Sequence, residues 1–177
     1  MNGMAVFIPA KGGRRDRFYR TQALPQGGVS YHTEHRMKNN LEGKWYSEYS
    51  ADISASPEKI WRILSDVPGW KQWNAGVEQI EMKGAFVAGT EFLMTPPGEE
   101  PFLTQLIEVQ ENEVFVDKTC LGELVVIVTH RLEPIASNGT RVTYAIEAIG
   151  PGCDEIGPAV SADFPEVLKS LAKLAES

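Results

Sequence analysis

The chain has 177 residues, 42% of them apolar and 23% charged, which favours one globular domain with a full hydrophobic core over a disordered or fibrous class. The formal charge of −7 is unevenly placed: residues 1–36 carry Lys11, Arg14, Arg15, Arg17, Arg20 and Arg36 against Asp16 and Glu34, a net +4, while residues 37–177 carry 11 basic and 22 acidic side chains, a net −11. An acidic body repels nucleic acid and anionic lipid, no run of roughly 18 apolar residues offers a helical membrane span, and two cysteines, Cys120 and Cys153, make neither a disulfide framework nor a zinc ligand set.

Residues 1–43 carry two Gly-Gly pairs and no sustained periodicity, so a disordered leader is expected there, ahead of a domain over 44–177. The patch Ala5-Val6-Phe7-Ile8 is too short for a secretory core, and Arg14-Arg15 is not followed by the apolar stretch that export needs. Met37 opens MKNNLEGKWYSEYS, which reads as an ordinary protein start. The leader is therefore either an upstream extension or a genuine tail. Reduced thiols in a cytoplasmic protein are the corresponding expectation for location.

Trp45 to Ile53 alternates and is rich in aromatics, as a first strand should be. Ser56 then suits a helix N-cap, Pro57 the first helical position, and Ile60, Trp61 and Leu64 recur at helical spacing. Asp66, Pro68 and Gly69 end that helix, and Trp70 and Trp73 stand three apart on a second short one. Strands are expected over Val77 to Met82, Thr90 to Thr95, Phe102 to Val109 and Val114 to Thr119, with PPGEEP as a rigid turn. Glu123 to Glu133 and Thr140 to Ile149 make a long hairpin turning at Asn138-Gly139, where both residues tolerate positive φ. From about Cys153 to Glu176 the pattern is helical, with Val160, Phe164, Val167, Leu168, Leu171 and Leu174 as one apolar stripe. Pro165 is expected to kink or split that helix.

The stretch ISASPEKIWRILSDVPGWKQWNAGVEQIEMKG and the late hairpin LEPIASNGTRVTY resemble the START-like superfamily of polyketide cyclases, lipid-transfer proteins and pollen-allergen-type proteins. The resemblance covers about residues 45–176. It implies an α+β helix-grip fold: a curved seven-stranded antiparallel sheet around a long C-terminal helix, two short helices after the first strand, and an apolar cavity between sheet and helix.

His130 is the single histidine of the body and shares strand parity with Leu124, Val126, Val128 and Leu132, the more apolar set. It is either a general base or ligand hydrogen-bonder, or a satisfied structural histidine. Tyr144, in phase with Val142 and Ile146, either presents a phenol inward or packs. Trp70 and Trp73 either stack on a ligand at the cavity mouth or anchor the short helix. Phe92, Met94, Phe102, Leu106, Val128, Phe164 and Leu168 complete the expected wall. Asp117 is expected to face solvent, and Glu147 to pair with Arg131 across strands. No nucleophile triad, P-loop or dinucleotide fingerprint is present, and no metal or cofactor is expected. The sequence reads as a module that binds or carries a small apolar or aromatic molecule. The alternatives are a cyclase or dehydratase using His130 or Tyr144, and an interaction module without a ligand.

Overall fold

The structure is a computed structural model that describes residues 31–32, 43–136 and 138–177. Apart from Tyr31–His32, the expected leader lies outside the described residues, as does Ser137 of the hairpin turn.

The strands are β1 (Tyr31–His32), β2 (Lys44–Ile53), β3 (Gln79–Met82), β4 (Glu91–Thr95), β5 (Phe102–Gln110), β6 (Val114–Leu121), β7 (Leu124–Ile135) and β8 (Gly139–Ile149). They form one antiparallel sheet in the order β1-β2-β8-β7-β6-β5-β4-β3. Strands β2–β8 are the seven expected from the sequence. The two-residue β1 adds to the free edge of β2, with Tyr31 opposite Ala51 and His32 opposite Ser50.

Between β2 and β3 come helix α1 (Pro57–Ser65) and a 3-10 turn (Val67–Gln72). Ser56 Oγ accepts from the Lys59 amide, so the cap forms where its sequence signature places it. Ile60, Trp61 and Leu64 face the core.

The C-terminal segment is two helices, α2 (Cys153–Ser161) and α3 (Phe164–Ala175). The split falls at Ala162-Asp163, just ahead of Pro165. A proline is tolerated in a first helical turn, where its missing N–H has no partner to lose, so the chain restarts the helix there. Helix α2 packs so closely on β2 that a Cβ on Gly157 would stand 2.1 Å from the Trp45 indole. Phe164, Val167, Leu168 and Leu171 are buried on α3, but Val160 and Leu174 are exposed, so the stripe does not run unbroken across the split.

Two further expectations are corrected by register. Gly139 does not take positive φ. Asn138 is left-handed at φ 58, and Gly139 opens β8 opposite Ile135. Glycine is needed there because a Cβ would lie 2.7 Å from the Ile53 carbonyl oxygen. Glu147 lies opposite Ile127 and Tyr46, whereas Arg131 lies opposite Thr143 and Val114, so the two do not meet. Arg141 instead donates to both oxygens of Asp52, at 2.7 and 2.9 Å.

A bulge between Leu106 and Glu108 resets the phase of β5. Leu106 and Val109 thus both join the inner side, and Ile107 is left exposed. The inner side of the sheet, with α1 and α3 over it, holds the core. Among the described residues no helix is long and apolar enough to cross a membrane.

Candidate functional site

One row of residues crosses the middle of the sheet at a single level. Tyr49 on β2 lies opposite Tyr144 on β8, Tyr144 opposite His130 on β7, and His130 opposite Phe115 on β6. All four rings join one chain of ring contacts. The imidazole of His130 lies flat on Phe115, centroids 4.0 Å apart and 10° from parallel. Its other side meets Tyr144 edge-on at 4.2 Å. Phe164 from α3 closes the row, edge-on to Tyr144 at 5.5 Å and to Tyr49 at 5.9 Å. At the other end Phe115 touches Trp61, Phe86 and Trp70.

Asp117 is the residue that sequence parity misplaced. It shares the inner side with Phe115 and Thr119, lies opposite Val128 and Leu106, and is buried, not solvent-facing. Its Oδ2 is 2.9 Å from His130 Nε2. An ionised carboxylate can only accept, so Nε2 carries the proton and donates. In the neutral form of the ring Nδ1 is the acceptor nitrogen. It is buried with no hydrogen-bond partner among the described residues. The pair is not sealed off, since the side chains of His130 and Asp117 keep 9% and 12% of their surface.

More polar groups share this side than the sequence suggested. Thr104 and Thr119 hydroxyls bond each other at 2.8 Å on β5 and β6. Ser47 Oγ on β2 is buried with no partner among the described residues. Burial, then the charges of Asp117 and Asp163, hold the Tyr144 phenol well above its ordinary range, so it stays protonated and can donate. Asp163 stands at the split between α2 and α3, and burial raises its carboxyl above the usual range.

The other expected wall residues are arranged as follows. Phe92, Leu106, Val128, Phe164 and Leu168 are buried in the core, and Met94 and Phe102 are half-buried and face each other across β4 and β5. Trp70 donates its indole N–H to the Leu64 carbonyl at 2.8 Å and packs on Phe92, which gives it an anchoring contact. Trp73 is half-buried and ends the 3-10 turn with its backbone N–H on Trp70. Cys120 is exposed and Cys153 buried, both as free thiols.

Chemically, this face offers an imidazole whose proton is held by a carboxylate, a phenol donor beside it, and aromatic walls.

A curved antiparallel sheet gripping a broken C-terminal helix defines the helix-grip class. Within it, the chain belongs to the family described as polyketide cyclase / dehydrase and lipid transport, which matches residues 44–176. Among solved structures it resembles protein MLL2253 from Mesorhizobium loti, at 20% identity over 74% of this chain and 96% of that one, TM-score 0.63. The Zhui aromatase/cyclase from Streptomyces sp. R1128 is similar at 13% identity over 75% of this chain and 94% of that one, TM-score 0.65. Truncated norcoclaurine synthase from Thalictrum flavum matches at 18% identity over 77% and 96%, TM-score 0.59. At these identities the likeness shows the fold alone. No curated protein matches the chain.

Proposed function

We propose that this protein binds a small apolar or aromatic molecule between the inner side of the sheet and the C-terminal helices, as a carrier or holder of that molecule. The observation that supports this best is the Asp117–His130 pair within an aromatic row. Burying such a pair costs desolvation that apolar side chains of the same volume avoid, so it is weak evidence for stability and better evidence for use. A buried Nδ1 without a partner costs about 1–3 kcal/mol, and a ligand hydroxyl would relieve that cost. The aromatic walls supply affinity and the pair supplies orientation, the usual division of labour in a ligand site. A cytoplasmic location goes with this reading, given two free thiols.

Native mass spectrometry of the purified chain is expected to show a co-purifying small molecule that is lost on denaturation. Titration with a neutral naphthol then tests the site. His130→Ala is expected to weaken binding by roughly 0.5–1.5 kcal/mol, the net worth of one hydrogen bond. Unchanged affinity in the folded variant would leave His130 a purely structural residue.

The Asp117–His130 pairing also favours a second reading, a cyclase or dehydratase in which Nδ1 takes a proton from the bound molecule. In that case His130→Ala lowers turnover about 100-fold or more while binding survives.

A further inference from the structure

The middle of the sheet's inner side is not packed shut. Asp117 and Val128 lie opposite each other on β6 and β7, and each keeps 8% of its surface. Their inward neighbours on the same strands, Thr119 and His130, each keep 7%. The residues around these are sealed: Leu106 opposite Asp117 on β5, Ile146 opposite Val128 on β8, and Phe115 opposite His130 keep none. Free surface at the centre of a side whose flanks have none marks a hollow over β6 and β7, with Asp117 in its wall. A hollow with polar groups in its wall does not stay empty, and takes either water or a polar group of a ligand.

The hydrogen bonding of that wall is one-sided. Asp117 Oδ2 accepts the His130 Nε2 proton at 2.9 Å, and Oδ1 accepts no hydrogen bond among the described residues. The side-chain polar atoms that are both sealed and unpartnered there are Ser47 Oγ and His130 Nδ1. Asp117 Oδ1 is not one of them, so it is open to the hollow. Nδ1 of the neutral ring is an acceptor as well, so the pair presents acceptors alone. Thr104 and Thr119 are bonded to each other. No buried lysine or arginine stands among the described residues to answer the carboxylate. A carboxylate offers about four acceptor sites, and leaving them unmatched in the interior is costly.

We propose that Asp117 Oδ1 is the specificity-determining contact of the site, accepting a hydrogen bond from the hydroxyl of a neutral alcohol or phenol that reaches into the hollow. His130 is then a positioning residue, which holds the carboxylate through Oδ2. This rests on the ligand-binding reading above and names the chemistry of the ligand. His130 Nδ1 is sealed as it stands, which leaves Oδ1 as the atom that a ligand meets first. An ether or ketone has no proton to give Oδ1, and a carboxylate sets a second negative charge beside it, so both are rejected. At longer range the net −11 of residues 37–177 also repels such an anion.

The test is calorimetric titration of the full chain with three probes on one ring system: a naphthol, the matching methoxynaphthalene and the matching naphthoate. The naphthol is expected to bind about tenfold or more tighter than the methoxynaphthalene, as a hydrogen bond to a charged group should, with the naphthoate weakest. In Asp117→Asn the amide oxygen stays with His130 and the NH2 group faces the hollow. That variant is expected to bind naphthol no better than methoxynaphthalene and to bind naphthoate more tightly than the parent does. Equal affinity of the parent for naphthol and methoxynaphthalene means that water alone satisfies Oδ1, which overturns the proposal and leaves the ligand-binding reading intact. A variant that keeps the naphthol's advantage overturns it as well. Failure of all three probes to bind the parent overturns both readings. If Asp117→Asn does not fold, the carboxyl carbon resonance of Asp117 in the parent decides the matter. A larger movement with naphthol than with methoxynaphthalene supports the contact, and equal movement overturns it.

Discussion

Asp163 sits half-buried at the break between α2 and α3. Burial raises its carboxyl above the ordinary range, so the folded chain holds that proton to higher pH than the unfolded chain does. Native protein then binds more protons than unfolded protein in the window between the usual aspartate value and the raised one. Stability falls as pH rises through that window and stays lower above it. Asp163→Asn is accordingly expected to unfold at higher urea than the parent at pH 7 and to match it near about pH 3, where the parent's carboxyl is protonated in the folded and the unfolded chain alike. Equal midpoints at pH 7 would mean the carboxylate is well solvated. At this scale the sequence disclosed His130 but not its partner. A lone aspartate in a strand reads as solvent-facing, and nothing local to Asp117 reveals that Val128 and Leu106 flank it on the inner side. Only strand pairing brings Asp117 Oδ2 to His130 Nε2, across 13 residues of chain.

Helix α3 is the element that covers the aromatic row. Leu171 is fully buried and Leu174 is 40% exposed, although they stand only three positions apart. Leu171→Ala is expected to cost about 2–5 kcal/mol in urea unfolding, and Leu174→Ala less than about 0.5 kcal/mol. Similar losses at both positions would mean that α3 is rotated from the orientation described. The proline explains why the stripe was only partly legible. One helical phase run from Val160 to Leu174 ignores the restart at Phe164, where Asp163 becomes the N-cap of α3, its carbonyl accepting from the Val167 amide, and Val160 on the preceding helix is left exposed. The bulge at Ile107 was illegible for a similar reason, since a single extra residue changes which side every later residue faces. The caps and turns were readable because Ser56, Pro57 and Asn138 act through bonds and torsions within a few residues of themselves.

At the scale of the molecule, the order of elements was legible because each strand and helix carries its own period and its own punctuation. The polar content of the interior was not, because Ser47, Thr104, Asp117, Thr119 and His130 come from four strands and converge only through register. We expect the basic leader to contribute little to this assembly. A chain beginning at Met37 should melt within a few degrees of the full chain, and a loss above ~2 kcal/mol would show that the residues before it, Tyr31–His32 included, dock firmly. We propose that the inner side of the sheet, and not its outer side, is the ligand surface. The outer side has an apolar pair of its own, Leu93 opposite Leu103. Backbone amide NMR of the full chain during addition of a neutral naphthol separates the two. Saturable shifts are expected at Phe115, Asp117, His130, Tyr144 and Phe164. Shifts confined to Leu93 and Leu103, or no saturable shifts at all, would contradict an inner ligand surface.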